Sequence, residues 1–140
     1  MAILTRADFQ ELSRTRLVDA KTLLDSGRYA GAYYLAGLAI ECAIKACIAR
    51  QTRRFEFPQK EKALQSYSHD LAQLLKVADL QMELDNASRS DPALAGYWTI
   101  VKDWKIESRY TRIAPQLAAD LYDAASHRRN GVISWLRQHW

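Results

Sequence analysis

From Arg28 to Arg50 the chain reads almost without polar interruption. Alanine, leucine and isoleucine dominate, proline is absent, and between Tyr33 and Ile48 only Glu41 and Lys45 are charged. A helix that is apolar nearly all round is buried on most sides. The run therefore predicts a central rod about 34 Å long against which the other elements pack. Its uncharged stretch is too short for a membrane span, and two ionisable residues near its middle would be costly in lipid. Gly31 and Gly37 each cost a helix about 1 kcal/mol relative to alanine, so their presence implies that a neighbouring backbone comes close.

Helical periodicity extends to both sides. Thr5 and Asp8 have capping-box spacing, and Phe9, Leu12, Leu17, Ala20 and Leu24 form one apolar face, which predicts a first helix over about 5 to 26. Gly27 ends it, and so short a connection makes the first two helices an antiparallel hairpin. From Gln51 to Ser68 the period lapses around Pro58, which predicts a long loop with at most a helical turn. In it Phe55 and Phe57 either pin the loop to the core or stack bases among basic residues. Ser68 caps a third helix through Leu71, Leu74, Leu75, Ala78 and Met82, fading near Asn86. Asp91-Pro92 starts another, with Leu94, Trp98, Val101 and Trp104 on its apolar side. Lys105 to Pro115 is a polar connection and the expected functional loop. Beyond it Leu117, Leu121, Ala124, Val132, Leu136 and Trp140 keep helical phase across Asn130-Gly131, which predicts one continuous last helix. No strand, repeat or low-complexity tract is visible. The fold class is all-α, a single-domain up-and-down bundle of about five helices over residues 1–140.

Composition narrows this picture. A chain of 140 residues, 49% hydrophobic and 26% charged, suits one ordered domain rather than a disordered one. Cys42 and Cys47 lie about 140° apart on one helix and cannot bridge, so they read as reduced core residues of a cytoplasmic protein. No basic-then-apolar leader opens the sequence. The net charge of +4 is segregated, with +3 over residues 50 to 62, −3 over 63 to 95 and +3 over 128 to 140. Such segregation marks either solvated helix faces or contact with RNA or an acidic protein, for which Arg50, Arg53 and Arg54 are the basic candidates.

Named chemistries are mostly excluded. His69, His127 and His139 are dispersed and share no ligand spacing with a cysteine or with one another, so no metal or cofactor is expected. There is no glycine-rich phosphate loop and no nucleophile elbow, and burial would disarm either cysteine. A carboxylate on so apolar a rod needs a partner. Glu41 either pairs with Lys45 four residues on, or meets a cation from another helix. Four tryptophans in so small a domain point to self-association.

The run from Leu23-Leu24-Asp25 through Tyr33-Tyr34-Leu35 to Ile44-Lys45-Ala46, then His69-Asp70-Leu71, then Arg109-Tyr110, resembles the HEPN family across nearly the whole chain. The resemblance implies an all-α bundle that usually dimerises. It also implies one of two activities, a metal-independent ribonuclease that is often a toxin or defence effector, or a non-catalytic member working beside a minimal nucleotidyltransferase. The ribonuclease branch carries an arginine, four to six residues, then a histidine near the start of the last helix. Counting from Arg109 reaches Ala114, Pro115 or Gln116, and from Arg112 it reaches Leu117, Ala118 or Ala119. No imidazole stands there to move the proton of a ribose 2′-hydroxyl. His69 reads as a capping or packing residue, or as a stand-in from another helix.

The expectation is thus a non-catalytic bundle that self-associates as a dimer or higher oligomer and binds a nucleotidyltransferase of a toxin–antitoxin or defence pair. Glu41, Lys45, Arg109, Tyr110 and His69 are its candidate polar site, with Arg109 as the cation beside Glu41. The alternatives are a ribonuclease using Arg109, Glu41 and an unorthodox histidine, and a nucleotide-binding module without a reaction.

Overall fold

Thr5 Oγ1 accepts from the Asp8 N–H at 3.2 Å and Asp8 Oδ2 accepts from the Thr5 N–H at 2.9 Å, closing the capping box that starts α1, Arg6–Asp25. Gly27, in the left-handed region at φ +75°, turns the chain directly into α2, Tyr29–Phe55. Leu23 then lies beside Gly31, and Ser13 Oγ donates to the Ala39 carbonyl at 2.7 Å, so the two helices run antiparallel. The computed structural model describes residues 4–55 and 60–140, with the side chains of residues 53–55 outside that description. Eight α-helices and one 3-10 helix occupy the described residues, and none of these residues forms a strand.

The all-α class is as the sequence implies, but the count exceeds five because two expected helices are each broken in two and one further helix forms in an expected loop. α2 runs past Arg50 to Phe55, and a further helix, α3, covers Lys60–Gln65, so the expected loop from Gln51 is helical at both ends. The expected packing role of Phe55 and Phe57 lies outside the described residues. The third helix is really two, α4 at Leu71–Val77 and α5 at Gln81–Ser90. Asp79 breaks them apart at φ 56°, a left-handed conformation that aspartate adopts more readily than most residues. That break shifts the apolar phase to Leu80 and Leu84, which are buried, and leaves Met82 exposed. The side chain capping α4 is Asp70, accepting from the Gln73 N–H at 3.1 Å, while Ser68 accepts from the Asp70 N–H.

Asp91 caps α6, Pro92–Val101, as its Asp-Pro signal predicts, accepting from the Leu94 N–H at 3.1 Å. The connection beyond it is more ordered than a polar loop. It forms the 3-10 helix Ile106–Tyr110, with Trp104 and Ser108 buried.

The last segment is not continuous. α7, Pro115–Ser126, stops before a turn over residues 127–131, and α8, Val132–Leu136, follows. His127 accepts through its carbonyl from the Gly131 N–H and the Ser134 hydroxyl, and Asn130 Nδ2 donates to Asp91 Oδ2 at 2.9 Å. A Cβ on Gly131 would sit 2.5 Å from the His127 carbonyl oxygen and 2.6 Å from its nitrogen. Only glycine fits so close to another backbone. The apolar phase survives this turn because both helices bury against one core, although Leu117 at its start is exposed.

α2 is the rod at the centre. It packs against α1, α4, α7, α8 and the 3-10 helix, and Ile40 and Ile44 are completely buried along it. Residues Tyr29–Thr52 are long and apolar enough to cross a membrane, yet 72% of their most apolar window is buried inside the bundle. That burial is what a core helix needs.

Candidate functional site

Tyr34, Leu38, Glu41 and Lys45 recur on α2 at spacings of four, three and four, and therefore share one face. Two polar clusters sit on it. At the far end Glu41, only 5% exposed, is held from two sides, with Oε1 2.8 Å from His69 Nδ1 and Oε2 3.4 Å from Lys45 Nζ. The pair within α2 is therefore present, while the partner from outside α2 is an imidazole ahead of α4 rather than the expected cation on another helix. A carboxylate only accepts, so Nδ1 carries the proton in this contact, on an imidazole that is half exposed.

The sequence explains why the imidazole reaches α2. His69 immediately precedes the Asp70 cap of α4, where Ser68 accepts from the Asp70 N–H at 3.0 Å and donates to Gln73 Oε1 at 2.8 Å. These bonds fix the backbone on both sides of His69. Its ring is held by position as well as by Glu41.

At the other end stand Arg109 and Tyr110, both exposed on the 3-10 helix. The Arg109 guanidinium lies 4.8 Å from the Tyr110 ring centroid. Hydrogen bonding to the Tyr34 phenol, and then to that of Tyr110, pushes its already high pKa further up. The expected Arg109–Glu41 pairing does not form. The partners of Glu41 are Lys45 and His69, and Arg109 lies on the exposed side of the 3-10 helix.

Trp104, expected on the apolar side of the helix that starts at Pro92, lies beyond the end of α6. Its buried ring lies 6.3 Å from that of Tyr34 and directly on Gly37, where a Cβ would fall 1.9 Å from Cε2. Gly37 did signal a close approach, but the neighbour is an indole rather than a backbone. At Gly31 it is likewise a side chain, Leu23. Trp104 Nε1 and Ser108 Oγ are buried without hydrogen-bond partners, an unusual condition for interior polar atoms.

The remaining candidates lie apart from this face. Arg50 is exposed on α2, and Arg53 and Arg54 belong to the same helix with side chains outside the description. Lys62 is engaged with Asp79 at 3.0 Å, which offsets part of the basic stretch. Burial pushes the Cys42 thiol up to about 11 and the Cys47 thiol up to about 12, so both are protonated near neutral pH and poor nucleophiles. Among the described residues no group of three or more His, Cys, Asp or Glu side chains is placed to hold a metal ion.

A family model described as HEPN domain matches residues 9–138. No curated protein and no solved structure matches the chain.

Proposed function

The chain belongs to the HEPN domain family, a family of nucleotide-binding and ribonuclease-type modules, and from that premise we propose a non-catalytic, cytoplasmic member. In this reading the bundle self-associates and binds a protein partner, a minimal nucleotidyltransferase of a toxin–antitoxin or defence pair. The observation that carries the non-catalytic reading is that no histidine follows Arg109 or Arg112 after four to six intervening residues, where the family's ribonucleases carry theirs. Cleaving a phosphodiester requires a cation at the phosphate and a proton acceptor within hydrogen-bond reach of the neighbouring hydroxyl. Arg109 supplies the first, and no side chain at the family's position supplies the second, an arrangement that suits binding better than reaction.

Binding suits the same residues well. Arg109 presents a planar, exposed set of donors beside an exposed aromatic ring, a combination that fits carboxylate or phosphate groups on another molecule. Co-expression with a nucleotidyltransferase encoded next to this chain is expected to yield a complex of fixed stoichiometry, weakened about tenfold or more by Arg109→Glu. Absence of a complex, or one indifferent to Arg109→Glu, contradicts the partner reading. Binding of a free nucleotide without the partner would replace it with the nucleotide-binding alternative. A second reading, a ribonuclease, is favoured by one feature, the Glu41–His69 contact at 2.8 Å, which orients an imidazole as such contacts do in acid–base sites.

A further inference from the structure

Positive charge that the sequence places around residue 50 and again after residue 128 meets α1 at one end of the bundle. α1 and α2 run antiparallel, so the start of α1 lies beside the end of α2. There α8 packs on α2, and Cys47 Sγ donates to the Leu136 carbonyl at 3.7 Å. Trp140 is buried among these elements, with Arg6 donating to its carbonyl oxygen. The Arg14 guanidinium lies 5.0 Å from the Trp140 ring centroid, and that of Arg137 lies 5.6 Å away. Burial holds the His139 imidazole below its ordinary range, with Glu83 of α5 opposing that shift and Arg50 adding to it, so both charges stand near the ring. Exposed Arg14, Arg50 and Arg137, drawn from three elements, therefore carry the positive charge of this end near neutral pH.

Their charge is not answered within the chain. Elsewhere on α1, Arg16 pairs with Asp19 at 3.2 Å and Lys21 with Asp25 at 2.8 Å. Arg14 has Glu11 one turn behind it, yet its guanidinium turns onto Trp140, and the residue four positions on is Val18. Asp8 is engaged in the capping box, accepting from the Thr5 N–H. Among the described residues none of Arg14, Arg50 and Arg137 forms an ion pair with a side chain.

We propose that this end of the bundle is a docking site for an acidic segment of another protein, whose carboxylates are received by Arg14, Arg50 and Arg137. The site does not depend on the nucleotidyltransferase reading and lies apart from Arg109. Arg50 is thirteen residues along α2 from Gly37, where Trp104 rests, a distance of about 20 Å. Two features favour a polypeptide over a nucleic acid. Single-strand binders offer open aromatic rings to the bases, whereas Trp140 is 8% exposed beneath two guanidiniums and His139 stacks on Trp135 with centroids 4.6 Å apart. Val18, 65% exposed, shares a face of α1 with Arg14 and offers an aliphatic contact that a phosphate backbone does not use. Resting on an indole also holds the Arg14 and Arg137 guanidiniums in place before binding, which reduces the ordering that binding requires. Each planar fork then matches a carboxylate through two parallel hydrogen bonds.

The test is fluorescence anisotropy at physiological ionic strength with three labelled probes: a peptide of four Glu-Glu-Leu repeats, the same peptide with glutamine for glutamate, and a single-stranded oligouridine. The wild type is expected to bind the acidic peptide and not its glutamine counterpart. Combining Arg14→Gln with Arg137→Gln should weaken binding about tenfold, and Val18→Asn about threefold. Lys102→Gln, a control at the end of α6, should leave it unchanged. Because Arg14 and Arg137 touch Trp140, Arg50→Gln supplies an exposed change at the end of α2, expected to keep the melting temperature and weaken binding about threefold. A wild type that does not bind the acidic peptide overturns the proposal, as does binding that is equal in the wild type, the double variant and Arg50→Gln. Oligouridine bound more tightly than the peptide, and lost in the same variants, also overturns it and makes this end a nucleic-acid contact.

Discussion

Gly37→Ala is expected to destabilise the bundle by about 3 kcal/mol, although the same change in an open helix stabilises by about 1 kcal/mol. The added Cβ would fall 1.9 Å from Trp104 Cε2, 2.1 Å from Nε1 and 2.3 Å from Cδ2, well inside any allowed contact. The indole has no free space to retreat into, since Trp104 is completely buried. Steric cost therefore outweighs helix propensity. For a domain of this size the loss corresponds to a fall in melting temperature of about 10 °C. Trp104→Phe is destabilising alone, but it should recover part of the Gly37→Ala loss in the double variant, because the smaller ring relieves the same overlap. An unchanged melting temperature for Gly37→Ala would show that the ring does not rest on Gly37.

Glu41→Ala carries the other large effect, a loss of about 3 kcal/mol, the lower end of what breaking a buried ion pair costs. The carboxylate is nearly inaccessible and has two partners, and its removal leaves Lys45, with a side chain only 14% exposed, without its counter-charge. Glu41→Gln should cost less, because the amide oxygen still accepts from His69 Nδ1. His69→Ala should cost least, since its side chain is half exposed and its contribution is screened. Glu41 and His69 should couple in a double-mutant cycle, whereas Glu41 and Arg109 should be additive. Chemical denaturation of these variants checks the order. Coupling of Glu41 to Arg109, with none to His69, would contradict the arrangement of the two clusters.

Much of the fold is visible in the sequence where one local signal dominates. The α1 capping box, the Gly27 turn, the apolar rod of α2 and the Asp91-Pro92 start each act within a few residues, and the structure realises all of them. Asp79 and Gly131 were harder to read because each interrupts a helix whose flanking apolar residues face one core on both sides. A shared core preserves the apolar phase across a break, so periodicity alone does not report it. At the site, Glu41 was legible because a carboxylate on an apolar helix requires partners, and His69 because the run His69-Asp70-Leu71 carries the family resemblance. Their pairing was not, since residues 28 apart meet only through the packing of α4 on α2. The expectation that Arg109 faces Glu41 failed for the same reason. Arg109 stands on a 3-10 helix that packs on α2, a placement no short-range pattern encodes.

The measurement that tests the central claim most directly is an RNA-cleavage assay on highly purified protein with a chelator present, comparing the wild type with His69→Ala and Arg109→Ala. With no histidine following Arg109 or Arg112 after four to six intervening residues, the wild type is expected to cleave no RNA above the level of either variant. Reproducible wild-type cleavage that disappears in both variants, while their melting temperatures stay near that of the wild type, would contradict the non-catalytic reading and establish the Glu41-oriented imidazole as the acid–base group of a ribonuclease.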